Sequence, residues 1–348
     1  MAAAREPSAH STQMFREAAE APDVVARQLS SNAARAKVIG ARLRTMKPRA
    51  IVTGARGSSD NAATFAKYLI ETKTGIITSS TGLSVASVYA ARPKLDGVVF
   101  LAISQSGKSP DLLAAAESAK AGGAYVIAIV NDDTSPLASV ADDVLPLLAD
   151  AETSVAATKT YLASVSAIAD LVAAWTEDRE LDGALHELPD LMRAAWACDW
   201  SAAVGHLTPV RDLYTIGRGM GFGAAQEMAL KLKETCGLHA EAFSSAEVRH
   251  GPMALVKKGF PALLVSQRDE TRAGLEELTA KLVSTGSDVM IAGFAQEGAV
   301  ALPTIAAHPV LEPILMTQSF YRMVDALALA RGLNPDRPPH LNKITETR

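Results

Sequence analysis

Between residues 48 and 150, short apolar or β-branched runs alternate with alanine-rich stretches of helical period. The runs RAIVTG, GIITS, GVVFLAIS, YVIAIV and DVLPLL read as strands. Several are apolar almost throughout, so both faces of their sheet are covered; with helical stretches between them, this predicts a parallel sheet flanked by helices. Upstream, residues 23–46 carry apolar positions at mixed three- and four-residue spacing and predict a helix that Pro48 closes. Downstream, residues 153–206 read as a long helical region, with breaks expected near Asp182–Gly183 and Pro189. The strand–helix rhythm restarts with DLYTIG, FPALLVS and DVMIAG. From Gly332 the tail has three prolines and no helical period.

Placing Gly54 over Gly217 lays IVTGARGSSDNAATFAKYLIE over YTIGRGMGFGAAQEMALKLKE, with Leu69 over Leu232 and Glu71 over Glu234. This predicts two copies of one strand–loop–helix domain. The expected division is a helical segment at 1–46, one domain at 47–185, a second at 186–331 and a tail at 332–348.

The 348 residues are 48% hydrophobic and 21% charged, which argues against disorder. A net charge of -4 offers no general attraction to nucleic acid or anionic membranes. Cys198 and Cys236 are the only cysteines, too few for a disulfide framework or a four-cysteine zinc site, and a reducing cytoplasm is the expected location. The N-terminus lacks the apolar core of a secretory signal, and no apolar run is long enough to span a bilayer.

Three loops follow predicted strands and open predicted helices, where free backbone N–H groups meet anions. GARGSSDN offers Ser58 and Ser59. SQSGKSPD offers Ser104, Gln105, Ser106 and Ser109, with Ser109 placed as N-cap and Pro110 at the first helical position. A nucleotide P-loop would need glycine where Ala102 stands, so one phosphate fits this loop better than three. GRGMGFGA, from Gly217, has the G-x-G-x-x-A spacing of a dinucleotide site, but no second strand ending in an acid is legible after it.

In AAQEMALKLKETCGLHAEAFSSAEVRHGP, Glu227, Lys231 and Glu234 stand at i, i+4 and i+7 on one helical stripe. A turn-rich stretch carrying His239, Glu241, Glu247, Arg249 and His250 follows. His239-Ala240-Glu241 matches half of a zinc deaminase signature, but its P-C-x-x-C partner is missing and no metal or other cofactor is expected.

Taken together, GARGSSDNAA, SQSGKSPD, VAATKTY, ALKLKE, HAEAFSSAEVRHGP and the tail LNK resemble the sugar isomerase (SIS) family, specifically the isomerase part of glutamine-fructose-6-phosphate aminotransferases. The resemblance implies an α/β fold of two tandem SIS domains, each a five-stranded parallel sheet flanked by helices. It implies that Ser59, Ser104, Gln105, Ser106 and Ser109 hold a sugar phosphate, with Ser58 close to the sugar and Val155 and Ala156 lining it through backbone. Glu234 would move a proton between C1 and C2, His250 of a neighbouring subunit would open the ring, and Lys343 would form or assist a Schiff base. Glu227 and Lys231 would support them. A homodimer with a shared active site follows, acting on a small sugar phosphate.

Two departures stand out. The family's synthases place a glutaminase cysteine directly after the initiator Met, where this chain has Ala2, and their S-Q-S-G-E-T becomes S-Q-S-G-K-S. The expected activity is therefore a glutamine-independent deaminase-isomerase, converting glucosamine 6-phosphate and water to fructose 6-phosphate and ammonia. Alternatives are an aldose–ketose phosphosugar isomerase, a deaminase of another amino sugar phosphate, or a non-catalytic sugar phosphate sensor.

Overall fold

The computed structural model describes residues 12–343; the extreme ends of the expected N-terminal segment and tail lie outside them. Among the described residues the first element is helix α1, Gln13–Met46. The first α/β set is β1 Ala50–Gly54, α2 Ser58–Thr74, β2 Thr78–Ser80, α3 Ser84–Ser87, β3 Val98–Ser104, α4 Pro110–Ala121, β4 Tyr125–Val130, α5 Pro136–Val140 and β5 Asp143–Pro146. Helices α6 Lys159–Thr176, α7 Arg179–Ala197 and α8 Ser201–Leu207 follow. The second set is β6 Asp212–Gly217, α9 Met220–Cys236, β7 His239–Ser244, β8 Pro261–Val265, α10 Arg272–Ser284, β9 Asp288–Ala292, β10 Val300–Leu302 and α11 Glu312–Ala330.

The chain divides into two compact units. One holds residues 21–151 and 160–189; the other holds, among the described residues, 12–20, 152–159 and 190–343. Each contains one five-stranded sheet, ordered β2-β1-β3-β4-β5 in the first and β7-β6-β8-β9-β10 in the second, with every strand pair parallel. In both, the order reverses beside the first strand, and the loops after β1 and β3, or after β6 and β8, flank that crevice. All seven residues of β3 are buried, as its unbroken apolar run requires.

The duplication is real, but its register differs by one from the expected one. Thr53 pairs with Leu101 as Thr215 pairs with Leu263, and the helix-opening glycines are Gly57 and Gly219, a spacing of 162. These glycines share one conformation, φ 56° and ψ -133° against φ 59° and ψ -132°, in a region that favours glycine. Glu234 therefore lies over Thr72, not Glu71.

Three other expectations are corrected. Residues 152–158 form an irregular loop rather than the start of a helix. Helix α7 runs unbroken through Gly183 and Pro189, because Leu181, Leu185, Leu188, Met192 and Ala195 form a buried stripe whose packing outweighs one lost hydrogen bond. The interruptions fall instead at Glu177, with φ 55°, and between Ala197 and Ser201. The stretch after α9 is not all turn: His239–Ser244 is an edge strand, with single-turn 3-10 helices at Glu247–His250 and Pro252–Leu255 behind it. Half-exposed edge positions gave β7 its polar, turn-like composition.

Candidate active site

The unit of β1–β5 gathers the predicted phosphate ligands at the carboxyl ends of β1 and β3. Ser58 and Ser59 begin α2, and Ser104 ends β3. Ser104 Oγ accepts the Gly107 N–H at 3.0 Å, and Ser106 Oγ accepts the Lys108 N–H at 3.3 Å, folding the loop tightly before α4. Gly107 has φ 63°, and a Cβ there would lie 2.2 Å from Ser135 Oγ, so this turn requires glycine. Ser109 is the N-cap of α4, but its hydroxyl makes no capping hydrogen bond. Arg56 joins the two loops: its Nε and Nη2 donate to Asp111 Oδ2 at 3.0 and 2.8 Å, and Asp111 is buried. Lys108 turns to Asp132, 3.0 Å away. Hydrogen bonds from Thr134 and then Lys108 hold the Asp132 carboxyl down at about 2.

In the other unit, donors of the equivalent loop are taken up by carboxylates of the chain itself. Ser266 and Gln267 repeat Ser104 and Gln105, but Asp269 stands over Gly107. Asp269 Oδ1 accepts the Thr271 N–H at 2.9 Å, and its Oδ2 accepts from Gln267 Nε2 at 2.8 Å. The Arg268 N–H goes to Glu312 Oε2 at 2.6 Å.

That unit instead carries the ionisable cluster. Glu227 and Lys231 are fully buried on α9, with Lys231 Nζ 3.6 Å from Glu227 Oε1 and hydrogen-bonded to Glu234 Oε2. Tyr321 Oη donates to Glu227 Oε1 at 2.9 Å. Burial would lower the Lys231 pKa, but Glu227, then Glu234 and Glu152, outweigh it and raise it above the ordinary lysine value. Glu234 is half-buried and forms part of the wall of a cavity of about 520 Å³ between the end of α9 and residues 332–341.

Lys343 Nζ donates to the Ser154 carbonyl at 2.7 Å and lies 3.2 Å from Glu152 Oε2. Glu152 is buried, and its Oε1 accepts the Thr158 N–H at 2.9 Å. Val155 and buried Ala156 continue the same loop. His250 is exposed at the end of its 3-10 turn, and among the described residues no hydrogen bond or ion pair joins it to Glu234 or Lys343. The structure thus brings together Glu227, Lys231 and Glu234, gathers the serines at the carboxyl ends of β1 and β3, and seats Lys343 on the loop of Val155 and Ala156.

The described residues contain no group of His, Cys, Asp or Glu arranged to hold a metal, and no helix long and apolar enough to cross a membrane. The SIS domain model matches twice, at residues 45–174 and 206–306. The chain belongs to the SIS domain family.

Within that family, it is 35% identical over 314 residues to the glutamine–fructose-6-phosphate aminotransferase (isomerizing) of Aeropyrum pernix, covering 85% of this chain and 50% of the relative. It therefore spans about half the length of that curated relative. A provisionally named phosphosugar isomerase structure from Silicibacter pomeroyi superposes with a TM-score of 0.89 at 42% identity, covering 93% of this chain and all of that one. The C-terminal domain of a glucosamine-fructose-6-phosphate aminotransferase from Francisella tularensis gives a TM-score of 0.85 at 25% identity, covering 94% of this SIS chain and 98% of that one.

Sequence reading missed Glu17, Glu152 and Ser154. Ser154 and Glu152 had an available signal, since they stand one and three residues before Val155, next to the stretch already singled out. Glu17 lies in the helical turns of α1 ahead of residue 23, where the expected helix began.

Proposed function

We propose that this SIS chain is a phosphosugar deaminase-isomerase acting on glucosamine 6-phosphate. The observation that carries the reading is the buried Glu227–Lys231 pair on α9 with half-buried Glu234 bonded to it, combined with a lysine seated on Glu152. A buried charged set is costly unless its members are paired, and such sets concentrate where chemistry is done.

The substrate's phosphate is taken by Ser59, Ser104, Gln105, Ser106 and Ser109 at helix N-termini, with Ser58 toward the sugar. His250 of a second copy opens the ring. Glu234 moves the proton between C2 and C1; Lys231, held cationic beside it, keeps a fixed counter-charge on the carboxylate through both half-steps. Glu227, itself anchored by the Tyr321 hydroxyl, holds Lys231 in place. Moving the proton from C2 to C1 turns the amino aldose into a C2 iminium. Water adds there and ammonia leaves, giving fructose 6-phosphate. Lys343 assists as an amine that exchanges with the C2 nitrogen.

The test is ammonia release from glucosamine 6-phosphate by purified protein, with fructose 6-phosphate measured alongside. Stoichiometric release of both is expected. The similarity to the Silicibacter pomeroyi structure favours a second reading, a plain aldose–ketose isomerase. Interconversion of hexose 6-phosphates without ammonia would establish it in place of the first; binding without any turnover would leave a sensor.

A further inference from the structure

The first two turns of α1 carry an unusual burden for a helix start. Glu17 is buried with 1% exposure, and its carboxylate has no cationic partner among the described ion pairs. It accepts hydrogen bonds instead: from the Thr153 N–H at 2.6 Å, Thr153 Oγ1 at 3.1 Å, the Ser154 N–H at 3.1 Å and Gln13 Nε2 at 3.0 Å. A carboxylate removed from water costs several kcal/mol unless such donors replace the lost hydration. Apart from Gln13 on the same helix, its donors belong to one peptide segment, Thr153–Ser154, and the carbonyl of that segment, Ser154 O, is the one that holds Lys343 Nζ.

A second contact reaches the same lysine from the other side. Asp336, seven positions before Lys343 in the tail, accepts the Gln13 and Met14 N–H groups at 2.7 and 2.8 Å. One turn further along α1, buried Lys159 pairs with Glu20 at 2.7 Å, fixing the far end of the 152–158 loop. The loop that seats the lysine and the tail that carries it are thus both fastened to residues 13–20.

We propose that Glu17 is a positioning residue for Lys343, acting through the Thr153–Ser154 peptide, with Asp336 as its companion on the tail. The inference rests on the reading of Lys343 as the amine that meets the substrate carbonyl. Fixing the seat from α1 sets where Nζ waits relative to the sugar, and displacements of about 1 Å at a reacting group cost on the order of a hundredfold in rate.

The experiment uses the full chain and compares Glu17→Ala, Glu17→Gln and Lys343→Ala. The readouts are kcat and KM on glucosamine 6-phosphate and the rate at which borohydride with fructose 6-phosphate adds mass to the protein. That adduct forms when the lysine amine displaces the ketose oxygen as water and hydride reduces the resulting iminium carbon. Lys343→Ala should abolish the adduct. Glu17→Ala should lower kcat and the trapping rate together by roughly tenfold to a hundredfold with KM within about twofold. Glu17→Gln, which retains one acceptor oxygen, should lose less and serves if the alanine variant does not fold.

A folded Glu17→Ala or Glu17→Gln protein with unchanged kcat and trapping, beside an inert Lys343→Ala, would overturn the positioning role while leaving the lysine reading intact. Full turnover and trapping in Lys343→Ala would overturn both.

Discussion

Helices α2 and α9 are one element built twice, and they differ in what they bury. At the 162-residue spacing, buried Ala62, Ala63, Ala66 and Ile70 of α2 recur as buried Ala224, Ala225, Met228 and Leu232 of α9. The two remaining core positions differ in kind. Phe65 and Leu69, exposed by 1% and 0%, become Glu227 and Lys231, each at 0%. The same backbone that needs only apolar side chains in one unit shelters an ion pair in the other. The loops differ in the opposite sense: the turn after β3 has Gly107 and an uncommitted N-cap hydroxyl, whereas the turn after β8 is occupied by Asp269. Under the proposed function, the duplicated scaffold assigns anion holding to one copy and proton chemistry to the other.

The sharpest way to break this comparison is to make α9 resemble α2. Lys231→Leu alone leaves Glu227 and Glu234 without their shared cation, and stability should fall by about 3–5 kcal/mol in urea denaturation. Adding Glu227→Phe, which restores the first unit's pair, should recover most of that loss while leaving the protein inactive. Recovery of activity in the double variant would show that the charges serve neither role.

A smaller effect separates the two loops. Ser109→Ala should raise the KM for a sugar phosphate by roughly tenfold, the size of one lost charge-assisted hydrogen bond, whereas Thr271→Ala at the matching cap should leave KM unchanged. The smallest effect is expected at Lys108, which is paired with Asp132 rather than turned into the loop. Lys108→Glu should shift KM by less than about threefold, because an exposed, solvent-screened pair contributes little.

Long apolar runs made most of the architecture legible. β1, β3, β4, β6, β8 and β9 are central strands buried on both faces, and such positions admit little besides Val, Ile, Leu and Ala. Edge strand β7 was not legible, because one open side admits residues such as His239 and Glu241, and β10 is only three residues long. Pro189 and Gly183 misled for a related reason: their local signals are overridden by a stripe of leucines whose burial no local window can see. For the site, helical spacing put Glu227, Lys231 and Glu234 on one stripe, and strand–loop–helix punctuation picked out the serines. Burial of the stripe was not readable, since i, i+4 charges normally face water. Glu17 and Glu152 escaped because their partners Thr153 and Lys343 lie 136 and 191 residues away along the chain, contacts visible only once it is folded.

The central claim is that α9 supplies proton transfer to a sugar phosphate, and Glu234→Gln tests it most directly. The variant keeps the shape and can still hydrogen-bond Lys231, but it has no basic oxygen for the proton at C2. Single-turnover deamination of glucosamine 6-phosphate, measured beside equilibrium binding of the same compound, should slow by about 10²- to 10⁴-fold with affinity nearly unchanged. A variant that turns over at the wild-type rate would contradict the account.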